Sequence, residues 1–420
     1  MGPPGHGYIE RVPAVSAPCR SCGAPLRLSV VDLGLQPLAN SFVTVDQLER
    51  AEPRYPLCVY VCDRCWLMQI DGEPVPEEIF NDYAYFSSYS DSWLEHARRY
   101  SEEMIERLGL GEHSLVLEVA SNDGYLLRNF VERGIRALGV DPAANVAEAA
   151  VAAGVPTEVA FFGRKTGEGL RSRGVRADLL IANNVLAHVP DVNDFVAGLA
   201  TVLAPGGILT AEFHHVLRLL EGRQFDTIYH EHYSYLSLTS AQTILARHGL
   251  TVLDVDEIPT HGGSLRVYAA HEGEEAASVG ELLEREQTAG LTAPAPYERL
   301  SAVAESIKQD LLAFLEAARA DGRRVVAYGA PAKGNTLLNY CGISTDLVLF
   351  TVDRSPHKQG RFLPGSHLPI HAPDRIFEAR PDYVLLLAWN LKDEIVEQMS
   401  AVREWGGRFV VPIPEVSILS

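Results

Sequence analysis

The chain has 420 residues, 47% of them hydrophobic, and a formal net charge of −19. It is too long for one ordinary core, so two or three domains are expected, and the composition is that of a globular protein. The charge speaks against nucleic acid or an anionic membrane as main partner, while a local basic site for an anionic small ligand remains compatible with it. No run approaches the roughly 18 apolar residues of a membrane span, and the first residues lack the basic-then-apolar layout of a signal peptide. A cytoplasmic protein is expected.

The six cysteines are informative by their clustering. Cys19-Arg-Ser-Cys22 and Cys62-Asp-Arg-Cys65 are two C-x-x-C pairs, and Gly23 suits the tight turn after the first. Two such pairs complete a tetrahedral Zn2+ site, which has no open position and is therefore structural. Cys58 lies one residue too far from Cys62 for the preferred knuckle, and disulfides are disfavoured in a reducing cytosol. A zinc-binding domain is expected over residues 1–80, with the insertion 26–60 forming structure of its own. Residues 81–90, Asn-Asp-Tyr-Ala-Tyr-Phe-Ser-Ser-Tyr-Ser, are dense in hydroxyls and aromatics. They suit either a lid using phenol donors or a linker with aromatic anchors. A helix is expected over 93–108.

Residues 115–119, Leu-Val-Leu-Glu-Val, form a buried parallel strand in this reading. The strand runs into a small polar turn containing Ser121, Asn122, Asp123 and Gly124. A second strand over 137–140 ends at Asp141, placed to accept hydrogen bonds from ribose hydroxyls. The turn has one glycine, and Glu118 sits at the strand's end. A dinucleotide pyrophosphate would need closer backbone approach from several glycines. S-adenosylmethionine carries no phosphate, so one glycine and an acid for its amino end suffice. A third strand, 177–182, leads to Asn183 and on to Val185-Leu186-Ala187-His188-Val189; a fourth, 206–212, enters through Pro205-Gly206-Gly207. The four motifs, in this order over about 100 residues, resemble class I S-adenosylmethionine-dependent methyltransferases. By that resemblance Phe161-Phe162 falls where the adenine pocket is lined, and His188 stands at a strand's carboxyl end, where ligands of open α/β sheets bind.

Tyr229-His230-Glu231-His232-Tyr233-Ser234-Tyr235 places two imidazoles, one carboxylate and three phenols in seven residues. A His and a Glu so close suit proton transfer near neutral pH. Extended alternation would send Tyr229, Glu231 and Tyr233 to one face and both histidines to the other, and a helical turn would sort them differently. A helix capped by Thr239 or Ser240 is expected over 240–248. Two strand-like runs, 250–255 and 264–269, flank Pro259-Thr260-His261-Gly262-Gly263, which reads as a hairpin loop. Residues 273–315 read as an acidic helical connector. A second α/β unit follows: a strand over 324–328, then Gly329-Ala330-Pro331-Ala332-Lys333-Gly334-Asn335-Thr336, then a helix over 337–340. Glycines, Lys333 and Thr336 at a strand-to-helix turn suit a phosphate group, here the pyrophosphate of a nucleotide-linked substrate. Strands over 347–352 and 383–387 end at Asp353 and at Ala388-Trp389-Asn390.

The cysteine pairs, Asp82-Tyr83-x-Tyr85-x-Ser87-Ser88-Tyr89-Ser90, the Glu118 to Gly124 turn, Tyr229-His230-Glu231-His232 and Gly329-Ala330-x-x-Lys333-Gly334-Asn335-Thr336 stand in one order along the chain. That order resembles the bacterial nucleotide-sugar C-methyltransferases of deoxysugar pathways, the group that includes 3-C-methyltransferases of antibiotic sugars. The resemblance implies an α/β protein in three parts: a zinc-binding domain (1–80), a Rossmann-like S-adenosylmethionine domain (81–295) and a second Rossmann-like domain (296–420). A dTDP-linked 4-keto deoxysugar would lie between the last two. It implies His232 as base, with Tyr229, Glu231, His188 and one of Tyr83 and Tyr85 in the active site. Glu118, Ser121, Asn122, Asp123, Gly124, Asp141, Phe162 and Asn183 would serve the cofactor. Tyr85, Ser88, Lys333, Asn335, Thr336 and Asn390 would serve the sugar nucleotide. Methylation of C3 through an enolate is the implied reaction. C5 methylation, O- or N-methylation, and a nicotinamide-dependent sugar dehydrogenase are the competing readings.

Overall fold

The computed structural model describes residues 17–71, 88 and 91–419. Strands β1 (Leu28–Gln36), β2 (Tyr55–Val61) and β3 (Met68–Ile70) come first. Then follow β4 (Leu115–Val119), β5 (Arg136–Asp141), β6 (Thr157–Val159), β7 (Ala177–Ile181), β8 (Leu203–His214) and the two-residue β9 (Ser234–Tyr235). A hairpin of β10 (Thr251–Ile258) and β11 (Ser264–Ala270) closes the middle of the chain. The last part holds β12 (Val325–Tyr328), β13 (Thr351–Val352), β14 (Ile370–His371), β15 (Tyr383–Leu386), β16 (Arg408–Val411) and β17 (Ser417–Leu419).

The described strands form three sheets. The largest runs β10-β11-β8-β7-β4-β5-β6. Its parallel strands read as apolar runs because they are covered on both faces: Val116, Leu117, Leu179, Leu180 and Ile181 are wholly buried. The last sheet runs β14-β13-β12-β15-β16-β17, with only β17 antiparallel. In both, ligand-competent loops follow the carboxyl ends of the strands.

The first sheet runs β1-β2-β3-β9, so its fourth strand comes from far along the chain. Met68 pairs with Tyr235 and Gln69 with Ser234. Ile70 N–H also donates to Tyr233 O at 3.1 Å. The segment carrying His232 is therefore sewn into the N-terminal sheet. The helix Ala295–Ala320 packs on β1 and turns Leu300, Ala304, Ile307, Leu311 and Leu315 inward, at the three-and-four spacing of a buried helical stripe. The stretch expected as a connector thus lies in the core that joins the first sheet to the last. Among the described residues no helix is long and apolar enough to cross a membrane.

Three local expectations change. The helix expected over 240–248 is Leu238–Ala246; its cap is Ser237, whose hydroxyl accepts from Ser240 N–H at 3.1 Å while Ser240 Oγ returns a bond to Ser237 N–H. The strand expected over 347–352 shortens to Thr351–Val352, because Leu347 and Val348 turn back onto Ser344 O. The helix expected from 337 begins at Ala332 behind the extended Pro331. Gly334 is inside that helix because a Cβ there would sit 2.7 Å from Leu387 Cβ.

Candidate active site

The four paired cysteines converge. Their sulfurs all lie within 4.8 Å of one another, with Cys19–Cys65 and Cys22–Cys62 at 3.5 Å. Tetrahedral Zn2+ with bonds of about 2.3 Å needs sulfur–sulfur edges of roughly 3.8 Å, so the cage fits one ion. Each pair is closed by the same turn: Gly23 N–H donates to Cys19 O, and Trp66 N–H to Cys62 O. Each ends in a left-handed residue, Gly23 (φ 70°) and Trp66 (φ 57°). Gln69 Nε2 and Arg64 N–H donate to Cys19 and Cys62 sulfurs at 3.3 and 3.4 Å, as suits thiolates. Cys58 stands apart, its thiol on Asp32.

One cavity of about 1310 Å3 lies where the three sheets meet. Sites for a single small ligand run to about 1,000 Å3, so it has room for two partners. Its first wall is the tip of β4, β5 and β7. Ala120 (φ 58°), Asn122 (φ 51°) and Asn184 (φ 54°) hold left-handed backbone there, a conformation that persists when the surrounding structure enforces it. Asp141 fixes the turn: its carboxylate accepts from Asn122 N–H and Ala143 N–H, both at 2.9 Å. Asn122, Asp141, Phe162 and Asn183 line the cavity. Asn183 Oδ1 accepts from Glu212 N–H, and Phe162 meets Phe195 edge-on at 5.6 Å. Glu118, Ser121, Asp123 and Gly124 stand directly behind this wall. Gly124 presses on Val155 (3.0 Å for a Cβ), and Ser121 covers Gly139. Ser88 reaches Asp123 through its backbone N–H.

Glu118, Asp123 and Asp141 are buried together with no cation bonded to them among the described residues. Burial and the neighbouring carboxylates raise Glu118 well above the usual range. Glu118 Oε2, Ser121 Oγ, Asp123 Oδ1 and Asn184 Nδ2 are buried without hydrogen-bond partners among the described residues. Unsatisfied groups of this kind cost roughly 1–3 kcal/mol each, so the tip suits a ligand that brings positive charge and hydroxyls. S-adenosylmethionine, with its sulfonium, ammonium and ribose, has that chemistry.

The second wall is made of imidazoles. His232 Nδ1 lies 3.0 Å from Thr227 O, and its Nε2 lies 2.7 Å from the Tyr229 hydroxyl. The carbonyl only accepts, so Nδ1 carries the proton and Nε2 takes the phenol's. The His188 ring meets His232 edge-on at 4.8 Å. Burial pulls His188 down to about 4, and burial with the surrounding imidazoles pulls His232 well below 6.5. Both are neutral at pH 7. Glu231, on the same cavity, accepts from Asn40 Nδ2 at 2.6 Å, and burial raises it to about 7. Of the two arrangements open to this segment the structure has a turn, His232 N–H to Tyr229 O. Tyr229, Glu231 and His232 therefore share the cavity, while His230 points to Pro56 O and the Tyr55 ring.

The third wall comes from the last sheet. Lys333 bonds Asn390 Oδ1 and lies 4.0 Å over the Trp389 ring. Burial lowers it to about 8. Lys358 and Arg361 also line the cavity; Lys358 donates to Ala330 O at 3.0 Å. Asn335 and Thr336 do not. Because the helix starts at Ala332, they are carried into its buried face, where the Thr336 hydroxyl donates to Ile228 O at 2.9 Å. The turn's Ala330 N–H is bonded to Asp353 Oδ2, so the expected phosphate cradle is reduced to Lys333 and Asn390. Tyr83 and Tyr85 lie outside the described residues.

Several lining groups were not singled out as site residues from the sequence: Asn40, His96, His214, His261, Lys358 and Arg361. They come from five separate segments, with Lys358 and Arg361 on the same irregular stretch, and no spacing ties the segments together. His96 bonds Glu212 at 3.0 Å, and Glu212 is held by Arg266. His214 bonds Gln224 at 2.7 Å.

Family models match three parts of the chain. A zinc binding domain model matches residues 19–80, a methyltransferase domain 93–255, and a C-methyltransferase C-terminal domain 259–414. The chain is 39% identical over 405 residues to C-methyltransferase NovU of Streptomyces niveus, covering 96% of each. It is 24% identical over 159 residues to a ubiquinone biosynthesis O-methyltransferase of Bartonella quintana (strain Toulouse), 34% of this chain and 62% of that one. Among solved structures, magnesium protoporphyrin IX methyltransferase from Synechocystis PCC 6803 aligns with TM-score 0.35 and 16% identity, covering 43% of this chain and 83% of that one.

Proposed function

This chain belongs to the C-methyltransferase family, and on that premise we propose that it moves a methyl group from S-adenosylmethionine to a carbon next to the ketone of a dTDP-linked 4-keto deoxysugar, C3 in our reading. What supports the reading is one arrangement. A neutral imidazole, His232, stands between a wall of buried carboxylates and a wall of cations. The first suits a sulfonium cofactor and the second a nucleoside diphosphate.

An unactivated C–H is far too weak an acid for a side chain to deprotonate, and a ketone on the adjacent carbon removes that obstacle. Thr227 O fixes His232 in the tautomer whose Nε2 has the free electron pair. The incoming C3–H takes the phenol's place at Nε2, and the freed Tyr229 hydroxyl donates to the sugar. Glu231, raised to about 7, can bond a sugar hydroxyl or amine in either protonation state. Bound at the first wall, S-adenosylmethionine supplies an electrophilic methyl group. Lys358 and Arg361 hold the diphosphate, with Lys333 and Asn390 nearer the sugar. The four-cysteine Zn2+ site is structural.

The decisive experiment incubates the protein with dTDP-4-keto deoxysugars in D2O without S-adenosylmethionine, then adds it and locates the methyl group by NMR. Deuterium and then methyl at C3 are expected. The same ketone also acidifies C5, and a methyl there would move the reading to that carbon. Methyl on oxygen or nitrogen, or no exchange, would sink it.

A further inference from the structure

The loop between β10 and β11 reads from the sequence as a plain hairpin connection, yet it is held on every side. Gly262 is pinned by Gln224, whose Nε2 donates to Gly262 O at 2.9 Å, and a Cβ there would lie 2.9 Å from Trp389 Cη2. Gly263 lies against Arg218, at 2.7 Å for a Cβ, and its N–H donates to Thr260 O. Two glycines are required because the loop is pressed between the β8 side of the middle sheet and the tip of β15. The clamp forces His261 into left-handed backbone (φ 56°), a cost that a simple surface turn would shed. His261 faces the cavity, with its ring 5.1 Å from that of Trp93. Its imidazole makes no hydrogen bond or ion pair among the described residues, although His96, His214 and His232 each have at least one. Burial and the nearby Lys333 charge keep it neutral at pH 7, at about 4.

Removing a proton beside a ketone leaves negative charge on the oxygen, and that oxygen needs a donor in place beforehand. The donor must not protonate the base. A neutral imidazole N–H meets both conditions, and its environment must hold it uncharged. We propose that His261 is a catalytic residue that donates a hydrogen bond to the acceptor's carbonyl oxygen as charge collects there, with the Lys333 ammonium behind it; this rests on the enolate reading above. The C–H pair becomes the new C=C bond as the proton passes to His232 Nε2, and the carbonyl π pair moves to the oxygen held by His261. On methylation that pair returns to rebuild the carbonyl, the C–C bond forms as the methyl–sulfur bond breaks, and the proton leaves His232 for solvent.

The test compares the full-length enzyme with His261→Phe and His261→Gln. The readouts are solvent deuterium uptake into the dTDP-4-keto sugar without S-adenosylmethionine, the kcat and KM split, the calorimetric Kd for S-adenosylmethionine, and thermal melting. His261→Phe is expected to lose about 100-fold or more in both exchange and kcat, with the Kd within about threefold. His261→Gln keeps an N–H donor and is expected to recover at least about tenfold of that loss. Exchange in the parent enzyme that survives in His261→Phe overturns this inference and leaves the enolate reading standing. A Phe and Gln pair equally impaired with normal melting also overturns it, since shape rather than donation would then be at stake. No exchange in the parent overturns the enolate reading and this inference with it.

Discussion

Asp141 and Asp353 stand at the tips of equivalent strands in two different sheets, and they do the same backbone work. Asp141 accepts from the turn after β4 through Asn122 N–H and from Ala143 N–H two residues on. Asp353 accepts from the turn after β12 through Ala330 N–H and from Ser355 N–H two residues on. The scaffolds match, but the cavity sees opposite chemistry. The first tip lines it with Asp141 and the amides of Asn122, Asn183 and Asn184, with the Glu118 and Asp123 carboxylates behind; the second offers Lys333 with Lys358 and Arg361 nearby. A strand–turn–helix unit is thus a mounting, and the ligand is decided by which groups remain unpaired on it and with what sign.

Predictions that strain this comparison run from large to small. Removing Zn2+ with a tight chelator withdraws a structural site whose binding is worth about 10–16 kcal/mol. Turnover should vanish with the loss of the first sheet, on which the His232 segment is paired; full activity in metal-free protein, checked by elemental analysis, would sever that link. His232→Asn should lower kcat by about 10²–10⁴-fold while calorimetry finds S-adenosylmethionine binding nearly unchanged. A matched loss of affinity would move His232 from the proton-transfer role to the cofactor wall.

Asp141→Asn and Asp353→Asn should each cost about 1–3 kcal/mol of stability by weakening the same two bonds. Only the first should weaken S-adenosylmethionine, by about tenfold in Kd; equal effects would erase the division of labour. Arg361→Ala should raise the KM for the sugar nucleotide about tenfold, with an effect that fades as salt rises. An unchanged KM would remove the cation wall from the diphosphate site.

The smallest effect concerns pH. His188, His214 and His261 are held at about 4, 3 and 4 by burial, and His232 is shifted in the same direction. Below 6.5 the unfolded chain takes up protons that the folded one refuses, so stability is lost as pH falls from 6.5 towards 4. Glu231 and Asp226, raised to about 7 and 6 by burial, work the other way and stabilise the fold at lower pH. Glu118 and Asp141 are raised as well, so among the described residues four acids oppose seven lowered imidazoles, His230, His248 and His371 adding to the four above, and the imidazoles prevail. The ligand-free protein should therefore denature at lower urea at pH 5 than at pH 7.

Much of this was legible where the information is local. β4 follows the apolar run 115–119 end to end. The two cysteine pairs declared a metal site, and the histidines, phenols and carboxylate of 229–235 declared proton chemistry within seven residues. What escaped depends on distant surfaces. Gly334 looks like a turn residue until Leu387 is set against it, and the helix start at Ala332 carries Asn335 and Thr336 out of reach. His261 looks like a loop residue until Gln224, Arg218 and Trp389 close around its glycines. Lys358 and Arg361 lie in an irregular stretch between β13 and β14 and carry no periodic signal.

The pairing of β3 with β9 also bears on the order in which the molecule is made. Residue 68 leaves the ribosome long before its partner, residue 235, so the N-terminal sheet stays one strand short while the five strands β4 to β8 of the middle sheet are synthesised. Its last edge closes only when the segment carrying the proposed base arrives, a long-range contact of the kind that slows folding. Both cysteine pairs are made before residue 235, and the strand that completes the scaffold follows closely on the residue that carries the imidazole.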